Sequence, residues 1–204
     1  NCVSPSGQVF LHFAFDQTND VFYVSGVFDY SCTIDTCSLN SGYPQTGFLA
    51  KLNSSGNCLW IKKIAKPASF ATTYGEALTV DDNGFVYVAG NTNGYDTIGT
   101  SAITAGTFLA KFDSDGNNIW AKTKFSFTLF QSQISFNSLR CFDNNIIACG
   151  NAYAVSTSDT IQTDTIALTN LKGTGFGLVC IDASTGTSKW MKFEGHPHTL
   201  TRYP

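Results

Sequence analysis

The chain has 204 residues, of which 43% are hydrophobic and 13% charged, about half the usual charged share, and this excludes a disordered solvating segment and a coiled coil. A net charge of −3, from 12 Lys and Arg against 15 Asp and Glu, excludes a nucleic-acid binder built on a basic surface. No run approaches the roughly 18 apolar residues of a membrane-crossing helix, so no membrane span is expected.

In chain order, the first predicted strand is Asp20-Val-Phe-Tyr-Val-Ser-Gly26, aromatic and β-branched behind a short turn. A variable stretch follows, Val27–Gly47, rich in Ser, Thr, Gly and Asp, with Ile34 and Leu39 five residues apart. Within it Cys32 and Cys37 flank Thr33–Thr36, enough chain for a turn that brings them into bridging range, so they are the disulfide candidates; Cys2 and Cys58 are a further candidate pair. Next comes Phe48-Leu-Ala-Lys-Leu-Asn-Ser-Ser-Gly-Asn-Cys-Leu-Trp60, two strands about a turn that holds the sequon Asn53-Ser54-Ser55, a candidate glycosylation site. The best helix candidate, Lys62 to Ala71, is short and interrupted by Pro67.

The middle third predicts two hairpins. Asp81-Asp-Asn-Gly84 joins Ala77–Val80 to Phe85–Ala89, and Ser114-Asp-Gly-Asn117 joins Phe108–Phe112 to Asn118–Lys122. Between them lies the variable stretch Asn91–Gly106, with Ile98 and Ile103. The last third repeats the order: Asn145–Gly150, the variable stretch Asn151–Phe176 with Ile161 and Ile166, then Leu178 to Trp190. Gly173-Thr-Gly-Phe-Gly177 reads as a flexible approach to a strand, since no helix follows to make a phosphate site. Cys141, Cys149 and Cys180 lie in apolar strand-like runs, and at least one of them reads as a small buried side chain.

Three lines therefore recur in one order with a period of about 60 residues. All three tryptophans, Trp60, Trp120 and Trp190, hold one repeat position, and the turn glycines Gly56, Gly116 and Gly186 precede them by the same four residues. Two hairpins per repeat make a four-stranded antiparallel sheet, and such units in series are β-propeller blades. The fold class is all-β: a single domain, 1–204, with repeats at about 9–64, 73–124 and 134–193 and an irregular tail 194–204. The tryptophans are expected to pack between blades, whose two apolar faces account for 17 Phe among so few charges.

The hairpin Ala77 to Gly90, followed by Thr107-Phe-Leu-Ala-Lys-Phe-Asp-Ser-Asp-Gly-Asn-Asn-Ile-Trp120, resembles the SBBP-type β-propeller repeat of secreted and surface proteins. The middle repeat resembles it best; the third departs, with Cys180 where Lys51 and Lys111 stand and a turn, Asp182 to Gly186, more like that of quinoprotein-type blades. The resemblance implies a secreted, non-enzymatic propeller.

No catalytic set is expected. Glu76 and Glu194 sit in different repeats, and Asp81, Asp82, Asp113 and Asp115 read as turn formers rather than a carboxylate pair or calcium loop. Of His12, His196 and His198, the last two could chelate a metal as neighbours in a strand, but Pro197 and the terminal location read as a solvated tail, so neither metal nor cofactor is expected. Three blades fall short of the 4–8 that close a propeller, leaving an incomplete ring with two apolar flanks. The leading expectation is an extracellular structural protein whose partners are copies of itself, in a larger oligomer or fibre. The alternative is an adhesion module that binds carbohydrate or a cell-surface partner through its variable loops, where Tyr30, Tyr43, Tyr95 and Tyr153 could stack on sugars. A third reading is a non-catalytic piece of a larger secreted enzyme.

Overall fold

The computed structural model describes residues 11–42, 45–67, 72–126, 133–154, 161–169 and 173–196. The first repeat holds β1 (Leu11–Asp16), β2 (Val21–Phe28), β3 (Ser31–Ile34), β4 (Cys37–Asn40), β5 (Thr46–Asn53) and β6 (Cys58–Lys63). After β7 (Lys66–Pro67), the second holds β8 (Thr73–Val80), β9 (Val86–Thr92), β10 (Asp96–Ile98), β11 (Ser101–Ile103), β12 (Gly106–Phe112) and β13 (Asn118–Ser126). The third holds β14 (Gln133–Phe142), β15 (Asn145–Ala154), β16 (Ile161–Gln162), β17 (Ala167–Leu168), β18 (Gly173–Asp182) and β19 (Ser188–His196).

Each repeat is an antiparallel four-stranded blade: β1-β2-β5-β6, β8-β9-β12-β13 and β14-β15-β18-β19. A single parallel pairing, Thr46 with Thr73, joins the first two blades, and no sheet closes on itself among the described residues. The innermost strands β1, β8 and β14 lie side by side in that order, so the blades form an arc. Alternation along each strand gives a blade two faces, and both are apolar inside the array. Tyr23 and Leu49 on the rear of blade 1 meet Val86, Val88 and Phe108 on the front of blade 2. Tyr87 and Leu109 on the rear of blade 2 meet Ile146, Ala148 and Val179 on the front of blade 3.

Among the described residues each variable stretch contains a small hairpin, β3-β4, β10-β11 and β16-β17; Ile34, Leu39, Ile98, Ile103 and Ile161 lie in its strands and Ile166 directly precedes β17. Ile98 and Ile103 are buried in the core between blades 1 and 2, and Ile161 is buried between blades 2 and 3. Flat sheets radiating from an axis diverge outward, and these hairpins fill the widening gap. β10 also pairs with β7 in the connection between blades.

Three expectations are corrected. The helix at 62–71 is absent where described: Lys62 and Lys63 end β6, and Lys66–Pro67 pairs with β10. The glycine-rich stretch from Gly173 lies within β18, because β15 and β19 bond it on both edges. Residues 194–196, expected in an irregular tail, belong to β19, which runs through His196; 197–204 lie outside the described residues.

Candidate functional site

The seam between blades is the same construction twice. In the turn of each repeat an Asx side chain ties the backbone: Asn53 Oδ1 accepts from the amides of Ser55 and Asn57, and Asp113 Oδ1 from those of Asp115 and Asn117. Asp182 Oδ1 likewise accepts from Ser184 and Thr185. Each turn then passes through a left-handed glycine, with φ of +84° at Gly56, +74° at Gly116 and +69° at Gly186. The tryptophan of one blade lies flat against the turn glycine of the next. A Cβ on Gly116 would stand 2.7 Å from the Trp60 ring, and one on Gly186 would stand 2.9 Å from the Trp120 ring. Glycine is required there twice over, for its backbone conformation and for the space.

Lysines fasten the same seam. Lys51 Nζ donates to the Ser114 carbonyl at 3.1 Å, and Lys111 Nζ to the Ala183 carbonyl at 3.2 Å. Two residues beyond each tryptophan, Lys62 Nζ donates to Asn117 Oδ1 at 3.0 Å and Lys122 Nζ to Thr187 Oγ1 at 3.4 Å. Asn117 and Thr187 directly follow the turn glycines. Lys111 also lies 4.0 Å from the Phe85 ring centroid, and burial lowers its pKa.

The ends of the array hold the unmatched halves. Gly56 has nothing within 4 Å of its Cβ direction, and Trp190, expected to pack between blades, is instead 41% exposed. The front of blade 1 presents Leu11 (58% exposed), Phe13 (73%) and Phe15 (43%), in register with Gly26, Val24 and Phe22. A groove of about 390 Å³ runs over this face, lined by Leu11, His12, Phe13, Phe22, Val24, Leu52 and Gly56. The rear of blade 3 presents Trp190 and Phe176, the latter 47% exposed.

The one wholly buried lysine described also serves a seam. Lys124 has a side chain with no exposed surface and lies 3.4 Å from Asp164, at the tip of the β16-β17 hairpin. It also donates to the Gly186 carbonyl and the Ser188 hydroxyl. Burial brings its pKa down to about 8 despite the adjacent carboxylate. Burial opposes the charge of Asp164 too, but the bonds from Ser188 and the charge of Lys124 hold its carboxyl below the usual range.

The sequence-predicted residues divide accordingly. Trp60, Trp120, Gly116 and Gly186 come together in the seams, while Gly56 and Trp190 stand apart at opposite ends. Cys32 and Cys37 are each disulfide-bonded, but not to each other. Cys37 bonds Cys58, with Cα atoms 6.0 Å apart, which also rules out a Cys2–Cys58 pair. The reason is register: Ile34 pairs with Cys37 across the β3-β4 turn and Cys32 with Leu39, so the two cysteines are not opposite one another. Cys141, Cys149 and Cys180 are free thiols; Cys180 is buried, and burial raises the Cys141 thiol to about 12. Tyr30 and Tyr95 are exposed in the first two variable stretches; Tyr43 and the side chain of Tyr153 lie outside the described residues. Asp81 and Asp113 bond their own turns, as turn formers do. No cluster of three or more His, Cys, Asp or Glu able to hold a metal occurs among the described residues. What sequence reasoning missed is the seam's cations, Lys51, Lys62, Lys111, Lys122 and Lys124, four of which repeat in register and so carried a readable signal.

Comparison with known proteins agrees with this architecture. Residues 59–96 match the family model of the SBBP beta-propeller repeat, covering the Trp60 strand and the hairpin that follows it. A search of curated proteins gives no match. Among solved structures, the crystal structure of a protein of unknown function from Bacteroides caccae aligns with 90% of this chain and 81% of its own. Its identity is 8% and its TM-score 0.26, too loose to carry an argument.

Proposed function

We propose that this chain, which carries an SBBP β-propeller repeat, is a non-enzymatic structural module that works outside the cell by associating with copies of itself. One observation carries the reading. Half of the ten exposed large hydrophobics described, Leu11, Phe13, Phe15, Phe176 and Trp190, lie on the two blade faces that have no neighbouring blade among the described residues. Exposed apolar side chains gathered on one face are stabilised by burial against another surface. The Cys37–Cys58 disulfide is consistent with an oxidising compartment. The test is sedimentation of the folded protein from about 1 to 200 μM. Concentration-dependent association is expected, and a 22.0 kDa monomer throughout overturns the reading.

A second reading, binding of carbohydrate, is favoured by Tyr95 and Tyr30, which are 77% and 57% exposed in the variable stretches. Glycan-array binding lost on replacing both by Ala would favour it over self-association alone.

A further inference from the structure

The two ends of this chain are the complementary halves of a joint that the chain already makes twice. Inside the array, a tryptophan covers the turn glycine of the following blade, and the lysine two residues later reaches the side chain that follows that glycine. At the rear of blade 3, Trp190 and Lys192 are both exposed, in the positions of Trp60 with Lys62 and Trp120 with Lys122. At the front of blade 1, Gly56 has open space where a ring would sit, and Asn57 follows it, exposed, as Asn117 follows Gly116. The apolar groove around Gly56 has the lining that a blade's rear face requires.

We propose that a second copy of this chain supplies the missing neighbour: Trp190 of one copy seats on Gly56 of the other, and Lys192 donates to Asn57. The proposal rests on the self-association reading and names its contact. The occupant is another copy because both halves, in matching chemistry and register, belong to one chain. Cys180 replaces the inner lysine of the seam, so this joint keeps the ring and the outer lysine but lacks the bond that Lys51 and Lys111 make. The contact is head to tail. With three blades described per copy, two copies give six, within the 4–8 that close a propeller, whereas three copies exceed it. The joint therefore closes into a ring at two copies.

The test uses the intact chain and two variants, each checked for an unchanged circular dichroism spectrum. Trp190→Ala removes the ring. Gly56→Asn fills its seat while tolerating the left-handed backbone. Wild type is expected to sediment as a species of about 44 kDa, twice the 22.0 kDa chain. Each variant alone should associate at least about 30-fold more weakly, as loss of a central aromatic anchor does. An equimolar mixture of the two should regain association, because each retains the half the other lacks. Wild-type association that neither variant weakens overturns the joint and leaves self-association standing. A wild-type monomer at 200 μM overturns both. Variants that weaken association without recovery on mixing overturn the head-to-tail arrangement. Species larger than two copies that Trp190→Ala disperses support the joint and overturn the closed ring.

Discussion

Gly56→Ala and Gly116→Ala separate backbone strain from blade packing. Both glycines sit in the same kind of turn, at φ of +84° and +74°. An alanine in that region costs about 1–2 kcal/mol at either position. At Gly56 the added methyl meets nothing within 4 Å, so that is the whole cost. At Gly116 it lands 2.7 Å from Cη2 and 2.9 Å from Cζ3 of Trp60. The ring cannot swing freely, being packed against the buried cluster between blades, with its centroid 6.2 Å from that of Tyr23. Overpacking of this kind adds about 1–3 kcal/mol. Gly116→Ala should therefore lose about 2–5 kcal/mol, against about 1–2 for Gly56→Ala. Urea unfolding of both variants in a Trp190→Ala background, at dilutions where sedimentation gives a monomer, measures the difference at unchanged m-value. Equal losses within about 0.5 kcal/mol would refute the Trp–Gly seam, since that is the ordinary spread of an unsupported surface substitution.

Trp120→Ala should cost about 3–5 kcal/mol in that background, and Trp190→Ala itself under about 1 kcal/mol against wild type at dilutions where both are monomeric, each read from urea unfolding; equal costs would contradict the exposed end. Lys124 titrates lower when folded than unfolded, so between pH about 8 and about 10.5 the unfolded chain binds more protons and stability rises with pH. Lys124→Met should abolish that rise, and a persistent slope would assign it elsewhere. Replacing both Cys37 and Cys58 by Ser opens a loop of sequence separation 21 and should cost about 3 kcal/mol; non-reducing peptide mapping of the wild type should recover the Cys37–Cys58 pair. A glycan on Asn53 would stand three residues from Gly56, so enzymatic deglycosylation of such material should strengthen association, and no change would separate the sequon from the docking face.

The blades were legible because their determinants are local and repeat. Tight-turn residues, an alternating strand on each side, and one tryptophan four residues past a glycine identify a hairpin without knowledge of its neighbours. The unreadable features depend on pairing between distant segments. Cys58 reaches Cys37 only because β4 stacks against β6, which no spacing encodes. Lys124 and Asp164 are 40 residues apart in different repeats, and their meeting follows from a hairpin wedged against the preceding blade. The Gly173 stretch has poor intrinsic strand propensity, but hydrogen bonding on both edges overrides it. The paired aliphatics repeat at a spacing of five, which places Ile98 and Ile103 on the two arms of one small hairpin and which period-two counting passes over.

The seam also bears on how such a chain can change length. Each blade carries a ring for its successor and a seat for its predecessor, so an in-frame copying of one unit brings both connectors with it. A gene built this way can gain or lose a unit in a single recombination step without new side chains having to evolve at the junction.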